Sequence, residues 1–383
     1  MRIAIVADPI DEQYAGVFYY TKQLIDALLR IDEKNEYFFI HLRKNKYFMG
    51  KNEVIIPGSR KIPGWMTLRK FLFISFAILR IKPDVVLEPA HIGPFSLLHK
   101  CKKIVVIHDL TPILFPQYHL KFSRIIHKIL LPIILKNADG IIVPSLCTKH
   151  DLEKMYNPSK PIKVTYEAAS QEFVPSDEKR IQQVKEKYNI SGSYIIAVGT
   201  IEPRKNLTML FEAFSEIRKA DIDLKLVIIG KSGWFFKKIV AKMHGSKEVV
   251  IFTGYVERNE LPILYSGAEF MVFPSIYEGF GLPPLEAMKC GCPVICSNSS
   301  SLPEVCGQAA ILFDPAKPEE LQKAMLEIIT KPDLKKFMKN EGLIQATKFS
   351  WERCAEETIE FFMDIFFEKE YSINSTPASS VNT

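Results

Sequence analysis

Short runs of β-branched and aliphatic residues alternate along the chain with longer segments of helical periodicity. Runs that are apolar at nearly every position are typical of parallel strands buried on both faces. Six are predicted in the first half, at Arg2–Val6, Phe38–Leu42, Val85–Leu87, Ile104–Ile107, Gly140–Val143 and Ile162–Thr165. Six more follow, at Tyr194–Val198, Leu224–Ile229, Val249–Phe252, Phe270–Phe273, Pro293–Cys296 and Ala310–Phe313. The pattern predicts an α/β protein with two Rossmann-like parallel-sheet domains.

Polar segments between these runs set the predicted domain boundaries. Residues 1–172 form an N-terminal domain, residues 173–192 a polar, helix-prone linker, and residues 193–350 a C-terminal domain. Apolar residues at helical spacing predict a helix over 351–370, for which packing on the second domain is the simplest location. Residues 371–383 are rich in Ser, Asn and Thr and are expected to be disordered. Ligands bind at the carboxyl ends of parallel strands, so the two sheets are expected to face a central cleft.

The loop and helix after Phe270–Phe273 carry the most informative chemistry. The loop contains Gly279 and Gly281, and the helix has two prolines in its first turn. Glycines let the backbone approach a ligand, and a helix N-terminus offers N–H groups to an anion. This predicts a diphosphate site, with Glu278 binding hydroxyls and Glu286 reaching a ribose. Each glutamate alone is more simply a solvated or dipole-pairing carboxylate, but the pair in this context favours a site.

A second motif follows the first strand of the C-terminal half. Beyond Gly199, the chain places Arg204 and Lys205 at the entry to a helix. Cations are disfavoured at a helix N-terminus unless an anion is near. We therefore expect this pair to neutralise a diphosphate leaving group, with a solvated basic pair as the alternative.

The N-terminal half also places polar residues after strands. His108 follows Ile104–Ile107 and is expected in the cleft, although a lone histidine is more often structural. Glu88 and His91 follow the preceding strand and are candidates for the acceptor side. Gly16 follows the first strand, but the full GxGxxG fingerprint is absent, so a nicotinamide cofactor lacks its main support.

Composition and charge refine this picture in one place. The 383 residues are 47% hydrophobic and 25% charged, as expected for two soluble globular domains. The net charge of +6 is too small for a dedicated nucleic-acid binder, but basic residues concentrate between residues 41 and 136. This asymmetry suggests an anionic partner for the N-terminal half, and a membrane surface is the leading candidate.

Two segments could form such a surface. Trp65–Lys82 is aromatic and apolar, and its ends carry Arg69, Lys70, Arg80 and Lys82. His119–Asn137 places cations on one helical face and isoleucines on the other; these are Lys121, Arg124 and Lys128 against Ile125, Ile126, Ile129 and Ile133. Both segments are either helices that cover a core or a surface that sits on anionic lipid and receives a lipid-linked acceptor.

Neither a metal site nor a disulfide framework is predicted. Asp221 and Asp223 form an Asp-x-Asp pair, but they precede a strand and so lie at its amino end, away from the cleft. The seven cysteines show no CxxC pair or zinc spacing, and no signal peptide is visible. We expect reduced thiols and a cytoplasmic protein, peripheral on the inner face of the membrane if the lipid surface is used.

With these motifs the chain resembles the retaining glycosyltransferases of family four, which have the GT-B fold. The resemblance covers nearly the whole chain and is carried by Val198–Asn206, by the Glu-x7-Glu of Glu278 and Glu286, and by Ala287–Val294. Within that family, Gly199–Asn206 and Ser299–Glu304 look most like bacterial mannosyltransferases of surface-polysaccharide assembly.

The resemblance implies transfer of a hexose, with mannose from GDP-mannose expected, to a saccharide or lipid-linked acceptor in polysaccharide or lipopolysaccharide assembly. It implies a retaining, metal-independent enzyme without a cofactor, since the nucleotide sugar is a substrate. A GT-B sugar-nucleotide epimerase and a non-catalytic donor-binding scaffold are the alternatives. The family pattern also implies that the helix after Trp351 crosses back onto the N-terminal domain.

Residue roles follow from the same resemblance. The implied catalytic residues are His108, which holds the donor sugar, together with Glu278, Arg204 and Lys205. The implied donor-binding residues are Gly16, Thr200, Gly279, Phe280, Gly281, Leu282 and Glu286. Some relatives carry an arginine where this chain has Thr200, so more of the diphosphate charge should fall on Arg204 and Lys205.

Overall fold

The computed structural model describes residues 1–13, 15–59, 61–62, 64–94, 100–220, 222–233, 236–241 and 249–371. Within these ranges the chain forms two parallel sheets, one in each half. The two predicted Rossmann-like domains are therefore confirmed, and each sheet is covered by helices on both faces.

The N-terminal sheet has the strand order β3-β2-β1-β4-β5-β6-β7. Its strands are β1 (Arg2–Val6), β2 (Glu36–His41), β3 (Asn52–Ile55), β4 (Val85–Glu88), β5 (Lys102–Val106), β6 (Gly140–Val143) and β7 (Ile162–Val164). Its helices are α1 (Asp8–Glu12), α2 (Ala15–Ile31), α3 (Trp65–Leu68), α4 (Ile74–Ile81), α5 (Thr111–Leu114), α6 (Lys121–Asn137) and α7 (Leu146–Tyr156). The strand order reverses between β1 and β4, which opens a crevice at their carboxyl ends.

The C-terminal sheet has the strand order β10-β9-β8-β11-β12-β13. Its strands are β8 (Tyr194–Val198), β9 (Lys225–Ile229), β10 (Val250–Gly254), β11 (Met271–Phe273), β12 (Val294–Ser297) and β13 (Ala310–Phe313). The helices here are α8 (Glu178–Lys187), α9 (Leu207–Arg218), α10 (Phe236–Ala241), α11 (Leu261–Ser266), α12 (Leu282–Lys289), α13 (Leu302–Cys306), α14 (Pro318–Thr330) and α15 (Pro332–Ala346). Here the order reverses between β8 and β11, the two strands that precede the predicted donor motifs.

Strand β3 was not predicted, because it lacks an apolar run. Its sequence begins Asn52-Glu53, and most of the strand is exposed at the edge of the sheet. Parallel pairing with β2, in which Asn52 lies opposite Phe38, holds it in place. An edge strand needs no two-sided hydrophobic pattern, so hydrophobicity alone does not reveal it.

The last helix, α16 (Trp351–Tyr371), packs on the N-terminal domain rather than on the second domain. Trp351, Phe361 and Phe362 lie in the same core cluster as residues of α2 and β1. A Cβ added at Gly140 of β6 would lie 2.8 Å from the Cζ atom of Phe361, so the helix rests directly on the sheet. The tail from residue 372 onward lies outside the described residues.

Helix α6 differs from the two-sided helix that the sequence suggested. Its core-facing side consists of Leu131, Ile134 and Leu135, which pack in one cluster with residues of α4. The exposed side carries the cations together with the apolar residues Phe122, Ile125, Ile129 and Ile133. Ile125, Ile129 and Ile133 therefore share the solvent face with the cations instead of opposing them, while Ile126 is half-buried.

Two cations of Trp65–Lys82 also differ from the predicted lipid-facing arrangement. Arg69 lies in a π-helical turn, Arg69–Phe73, and is fully buried. Its two terminal nitrogens donate to the carboxylate of Asp8 at 2.6 and 2.8 Å. Lys70 Nζ lies 3.3 Å from Glu88. A membrane role for Arg69 is therefore wrong, whereas Arg80 and Lys82 remain exposed.

Candidate active site

The two strands at the C-terminal reversal point bring the predicted donor motifs together. After β8 the chain enters the short 3-10 helix Pro203–Lys205, and after β11 it forms the loop that ends at α12. Glu278 comes from this loop and lies beside Arg204 and Lys205. The convergence follows from topology, because adjacent parallel strands release their chains at the same edge.

Glu278 binds both predicted diphosphate-binding cations. Its two carboxylate oxygens lie 2.8 Å from a terminal nitrogen of Arg204 and 2.5 Å from Lys205 Nζ. Burial alone would raise the pKa of Glu278, but the two cations outweigh burial and bring the pKa to about 2. Burial lowers the pKa of Lys205, and Glu278 opposes that shift. The glutamate therefore holds both cations in place as an anion.

Glu202 adds a second anion to this cluster. Its carboxylate lies 2.8 Å from Arg204, and the side chains of both residues are almost completely buried. The guanidinium also donates to the carbonyl oxygen of Tyr277 at 2.5 Å, which ties the β8 motif to the β11 loop. Arg204 therefore has a fixed orientation at the strand edge.

The predicted backbone positions adjoin this cluster. Gly199 has φ of +148° and its Cα faces the side chain of Lys205; Thr200 follows it and is half-buried. Gly281 has φ of +114° directly before α12, whose first residue is Leu282. The ring of Phe280 is buried between Tyr166 and Phe349. The side chain of Phe280 thus belongs to the core.

The loop between β11 and α12, residues 274–281, is called the donor loop. Gly279 is the point at which this loop meets the N-terminal domain. A Cβ added there would lie 1.9 Å from the carbonyl oxygen of His108. The hydroxyl of Ser145 donates to the carbonyl oxygen of Gly279 at 2.7 Å, and that of Thr148 lies 3.2 Å from the same atom. The structure therefore brings His108 and the glycine loop into direct contact.

His108 is held by contacts on both ring nitrogens. Its Nε2 lies 2.8 Å from the carbonyl oxygen of Pro89, so this nitrogen carries a proton. Its Nδ1 lies 3.5 Å from Glu167, and Tyr20 packs edge-on against the ring. The imidazole is thus fixed in orientation behind a backbone carbonyl that touches the donor loop.

The two acceptor-side candidates lie beneath this region. The N–H of His108 donates to Nε2 of His91 at 2.8 Å, and burial together with neighbouring His108 lowers the pKa of His91 to about 3. Neutral His91 therefore supports the His108 backbone. Glu88 is fully buried, and burial raises its pKa to about 7 against the opposing effect of Lys70. Glu88 is therefore withdrawn from solvent, while half-buried His91 is engaged by the His108 backbone.

Gly16 is the second residue of α2, on the N-terminal side of the cleft. A Cβ added at Gly16 would meet nothing within 4 Å. Packing therefore gives no reason for a glycine here, and the space in front of it is open. This is compatible with the predicted close approach of a phosphate.

Comparison with known proteins identifies the chain. Residues 15–169 match the model described as Glycosyltransferase Family 4, and residues 178–344 match that described as Glycosyl transferases group 1. The chain belongs to this glycosyltransferase family. The glycosyltransferase is 29% identical to O-antigen chain mannosyltransferase B of Escherichia coli, over 94% of this chain and 99% of that protein.

A further relative and a solved structure extend the comparison. The chain is 33% identical to serotype-specific mannosyltransferase WbdA of Escherichia coli, over 75% of this chain but 38% of that protein. The structure of HepE from Anabaena in complex with UDP-glucose superposes with a TM-score of 0.74 at 14% identity, covering 95% of this chain and 100% of that one. The superposition establishes the GT-B fold for the glycosyltransferase.

One further candidate residue of the site, Arg258, was not indicated by the sequence motifs. Glu286 is buried in α12, and its carboxylate lies 2.9 Å from a terminal nitrogen of Arg258. Burial raises the pKa of Glu286, and Arg258 opposes the shift. The guanidinium lies 4.0 Å from the ring centroid of Tyr19 and 4.5 Å from that of Phe173. A cation shortly after β10 was the available signal, since it comes from a carboxyl strand end.

The Asp-x-Asp pair lies only in part within the described residues. Asp221 is outside them, while Asp223 precedes β9 and has a carboxylate oxygen 3.9 Å from a Cβ added at Gly192. Gly192 precedes β8, so this position is at the amino ends of the strands. Among the described residues, no group of three or more His, Cys, Asp or Glu side chains could hold a metal.

Proposed function

We propose that this glycosyltransferase moves mannose from GDP-mannose to a hydroxyl of a saccharide or lipid-linked acceptor, with retention of the anomeric configuration. The observation that carries the proposal is the convergence of Arg204, Lys205 and Glu278 at the strand edge facing His108. The E. coli relative named as an O-antigen chain mannosyltransferase supports mannose and polysaccharide assembly. The UDP-glucose in HepE supports a nucleotide-sugar donor.

In this proposal the cations stabilise the leaving diphosphate. Arg204 and Lys205 are desolvated and fixed before substrate arrives, so they cost little reorganisation when negative charge builds on the phosphate. The N–H groups at the start of α12 offer further donors to the same anion. Two fixed cations can take the part of a divalent ion, and turnover is therefore expected without added metal.

Retention is proposed to follow a front-face route. Both carboxylate oxygens of Glu278 are engaged by cations, which makes this residue a poor covalent nucleophile. The acceptor hydroxyl would attack on the face from which the diphosphate departs, and the leaving phosphate oxygen would take its proton. Glu278 would bind sugar hydroxyls and His108 would hold the donor sugar beside the reacting carbon.

A donor screen followed by product analysis tests the proposal. Ligands that bind the folded state raise its apparent stability, so thermal shifts across GDP-, UDP-, ADP- and dTDP-sugars should be largest for GDP-mannose. Nucleoside diphosphate should be released only when acceptor is present, and NMR of the product should show the α-anomer. Acceptor-independent interconversion of sugar nucleotides would indicate an epimerase, and binding without turnover a scaffold. Activity abolished by EDTA and restored by manganese would contradict the metal-free route.

The outer face of α6 supports a membrane-bound acceptor. Among the described residues, no helix is long and apolar enough to cross a membrane. The α6 face instead exposes a stripe of apolar side chains, namely Phe122 (75%), Ile125 (57%), Ile129 (56%) and Ile133 (48%). Exposed cations lie alongside this stripe: Lys121, Arg124, Lys128 and Lys136. We propose that this face lies in the surface plane of an anionic membrane.

Helix α4 extends the same surface. Its core-facing residues Ile74 and Ile78 pack in one cluster with those of α6, so both helices cover one face of the sheet. Phe76 and Leu79 are exposed on α4, followed by exposed Arg80. A protein seated this way would hold its cleft near the headgroups, where a lipid-linked acceptor presents its sugar.

A further inference from the structure

The segment Ser299–Glu304 links the donor loop to the N-terminal domain. It runs from the end of β12 into α13. The hydroxyl of Ser300 accepts the N–H of Glu278 at 2.8 Å. The buried hydroxyl of Ser301 lies 3.0 Å from the carbonyl oxygen of Glu278 and 2.6 Å from that of Phe280. The segment therefore fixes the backbone of the donor loop on both sides of Gly279.

Glu304, at the end of this segment, reaches across to the other domain. One of its carboxylate oxygens accepts the N–H of Leu146 at 2.8 Å and the hydroxyl of Tyr166 at 2.7 Å. The other accepts the N–H of Cys147 at 3.3 Å. Leu146 and Cys147 begin α7, so a carboxylate of the C-terminal domain caps a helix of the N-terminal domain. Such N–H groups have no acceptor within their own helix.

The first turn of α7 is thereby held twice by the C-terminal domain. Its capping residue Ser145 donates to the carbonyl oxygen of Gly279, and Glu304 accepts its free N–H groups. The hydroxyl of Thr148, in the same turn, lies 3.5 Å from the carbonyl oxygen of His108. The first turn of α7 therefore contacts both His108 and the donor loop and fixes the distance between them.

We propose that Glu304 is a positioning residue that holds the two domains closed over the donor. A carboxylate at a helix N-terminus gains from charge-assisted hydrogen bonds and from the helix dipole. Water can satisfy the same groups when the domains separate, so the contact is reversible. Closure lets His108 and the Arg204–Lys205 pair act on one donor molecule. The inference rests on the proposed transferase function for its kinetic consequence.

The experiment compares the full-length wild type with Glu304→Ala and Glu304→Gln. A matched control is Glu319→Ala, which removes an exposed carboxylate from the first turn of α14, a helix of its own domain. Hydrogen exchange of the amides at residues 146 and 147, and the radius of gyration from small-angle scattering, are measured first without substrate. Steady-state kinetics with donor and acceptor follow.

For Glu304→Ala we expect faster exchange at the start of α7, a larger radius of gyration and a kcat reduced about tenfold or more. The dissociation constant for GDP should change less than threefold, because most of its proposed binding groups, Arg204, Lys205 and Glu286 among them, lie in the C-terminal domain. Glu304→Gln keeps one acceptor oxygen in a side chain of the same shape. Its exchange rate, radius of gyration and kcat should therefore lie between those of the wild type and those of Glu304→Ala. Glu319→Ala should match the wild type in every measurement.

Unchanged exchange, radius and kcat in Glu304→Ala would overturn the proposal. Equal losses in Glu304→Ala and Glu319→Ala would also overturn it, because the effect would then be general destabilisation. If the alanine variant fails to fold, the isosteric glutamine variant decides by the same readouts. A wrong transferase assignment would leave all variants without turnover, while the exchange and scattering data would still test the contact.

Discussion

At Lys205, burial lowers the pKa of the side chain, and the neighbouring carboxylate of Glu278 opposes that shift. The lysine is expected to contribute its positive charge to the diphosphate site. Replacing this lysine with methionine removes one cation from the diphosphate site and keeps most of the side-chain volume. We expect kcat/KM to fall at least ~10-fold, the size of one lost charged hydrogen bond. Steady-state kinetics give the answer, with the exposed Lys219 changed to methionine as control. Normal kinetics in folded Lys205→Met would place the diphosphate elsewhere.

Gly16 offers a test that separates binding from folding. The position is in a helix and a Cβ there meets no atom within 4 Å, so Gly16→Ala should fold at least as stably as the wild type. A methyl group in the path of a phosphate should nevertheless weaken donor binding several-fold, as measured by calorimetry. Gly279→Ala is the contrasting variant, since its Cβ would overlap His108 and both stability and activity should fall. Wild-type donor affinity in Gly16→Ala would remove this glycine from the site.

Glu88 should make the free energy of unfolding depend on pH. Burial raises its pKa from 4.5 to about 7, so the folded state binds this proton more tightly than the unfolded chain does. Its stabilising contribution is fully present below pH 4.5 and is lost as the pH rises to about 7.

The comparison is with Glu88→Gln, which cannot titrate. The difference in unfolding free energy, wild type minus variant, should fall by up to about 3 kcal/mol between pH 4.5 and 7. Chemical denaturation at several pH values measures it. Glu278 titrates near 2 and so does not contribute in this window. A pH-independent difference would show that Glu88 is charged throughout.

Among the secondary-structure elements, strands with an apolar run were predictable, and the polar strand at the sheet edge was not. Strands such as β1, β6, β8 and β13 match their predicted bounds because each consists mainly of an apolar run. β3 was not predicted because it is polar and is held in place by pairing with β2. The faces of α6 could not be assigned, because a helix rich in isoleucine has several possible apolar faces and the sheet selects one.

The candidate site was also predictable only in part. Motif spacing selected Arg204, Lys205, Glu278 and Glu286 as candidates, since each follows the carboxyl end of a strand in a recognisable pattern. It did not show that the cations bind Glu278, nor that Arg258 pairs with Glu286, because these contacts join residues far apart in sequence. Such pairs depend on strand order, which no local pattern contains.

The membrane proposal is tested on α6. Wild-type protein should sediment with anionic but not zwitterionic liposomes at low salt, since each cation near anionic lipid contributes about 1 kcal/mol and salt screens it. Reversing Lys121, Arg124 and Lys128 to glutamate should abolish sedimentation and leave donor affinity unchanged.

The matched control reverses three exposed cations on α8 and α14, namely Lys179, Arg180 and Lys323. It carries the same net charge as the α6 variant, so a loss confined to α6 would identify the surface and not merely total charge. Ile129→Ser, on the apolar stripe, should weaken binding even at moderate salt. Wild-type protein that ignores anionic vesicles would leave α6 as a helix that only covers the core.

Across the whole molecule, the chain passes from one domain to the other twice, through the linker before β8 and again before α16. The return places residues from the C-terminal end of the sequence in the core of the N-terminal domain, where Trp351, Phe362 and Ile365 pack against α2 and the sheet. The two connections lie side by side, since the side-chain amide of Gln171, before the linker, lies 3.5 Å from the carboxylate of Glu352 at the start of α16. Their relative motion should be a hinge about these two connections.

Phe362 tests whether the N-terminal domain depends on this return. Its side chain is fully buried, so Phe362→Ala should cost about 3–5 kcal/mol and lower the midpoint of thermal unfolding. Phe367 lies on the same helix at 49% exposure, and Phe367→Ala should leave the midpoint nearly unchanged. Because Phe362 packs in the core of the N-terminal domain, GDP should still protect a later unfolding transition in the variant. A single unaltered transition in Phe362→Ala would mean that α16 contributes little to the N-terminal core.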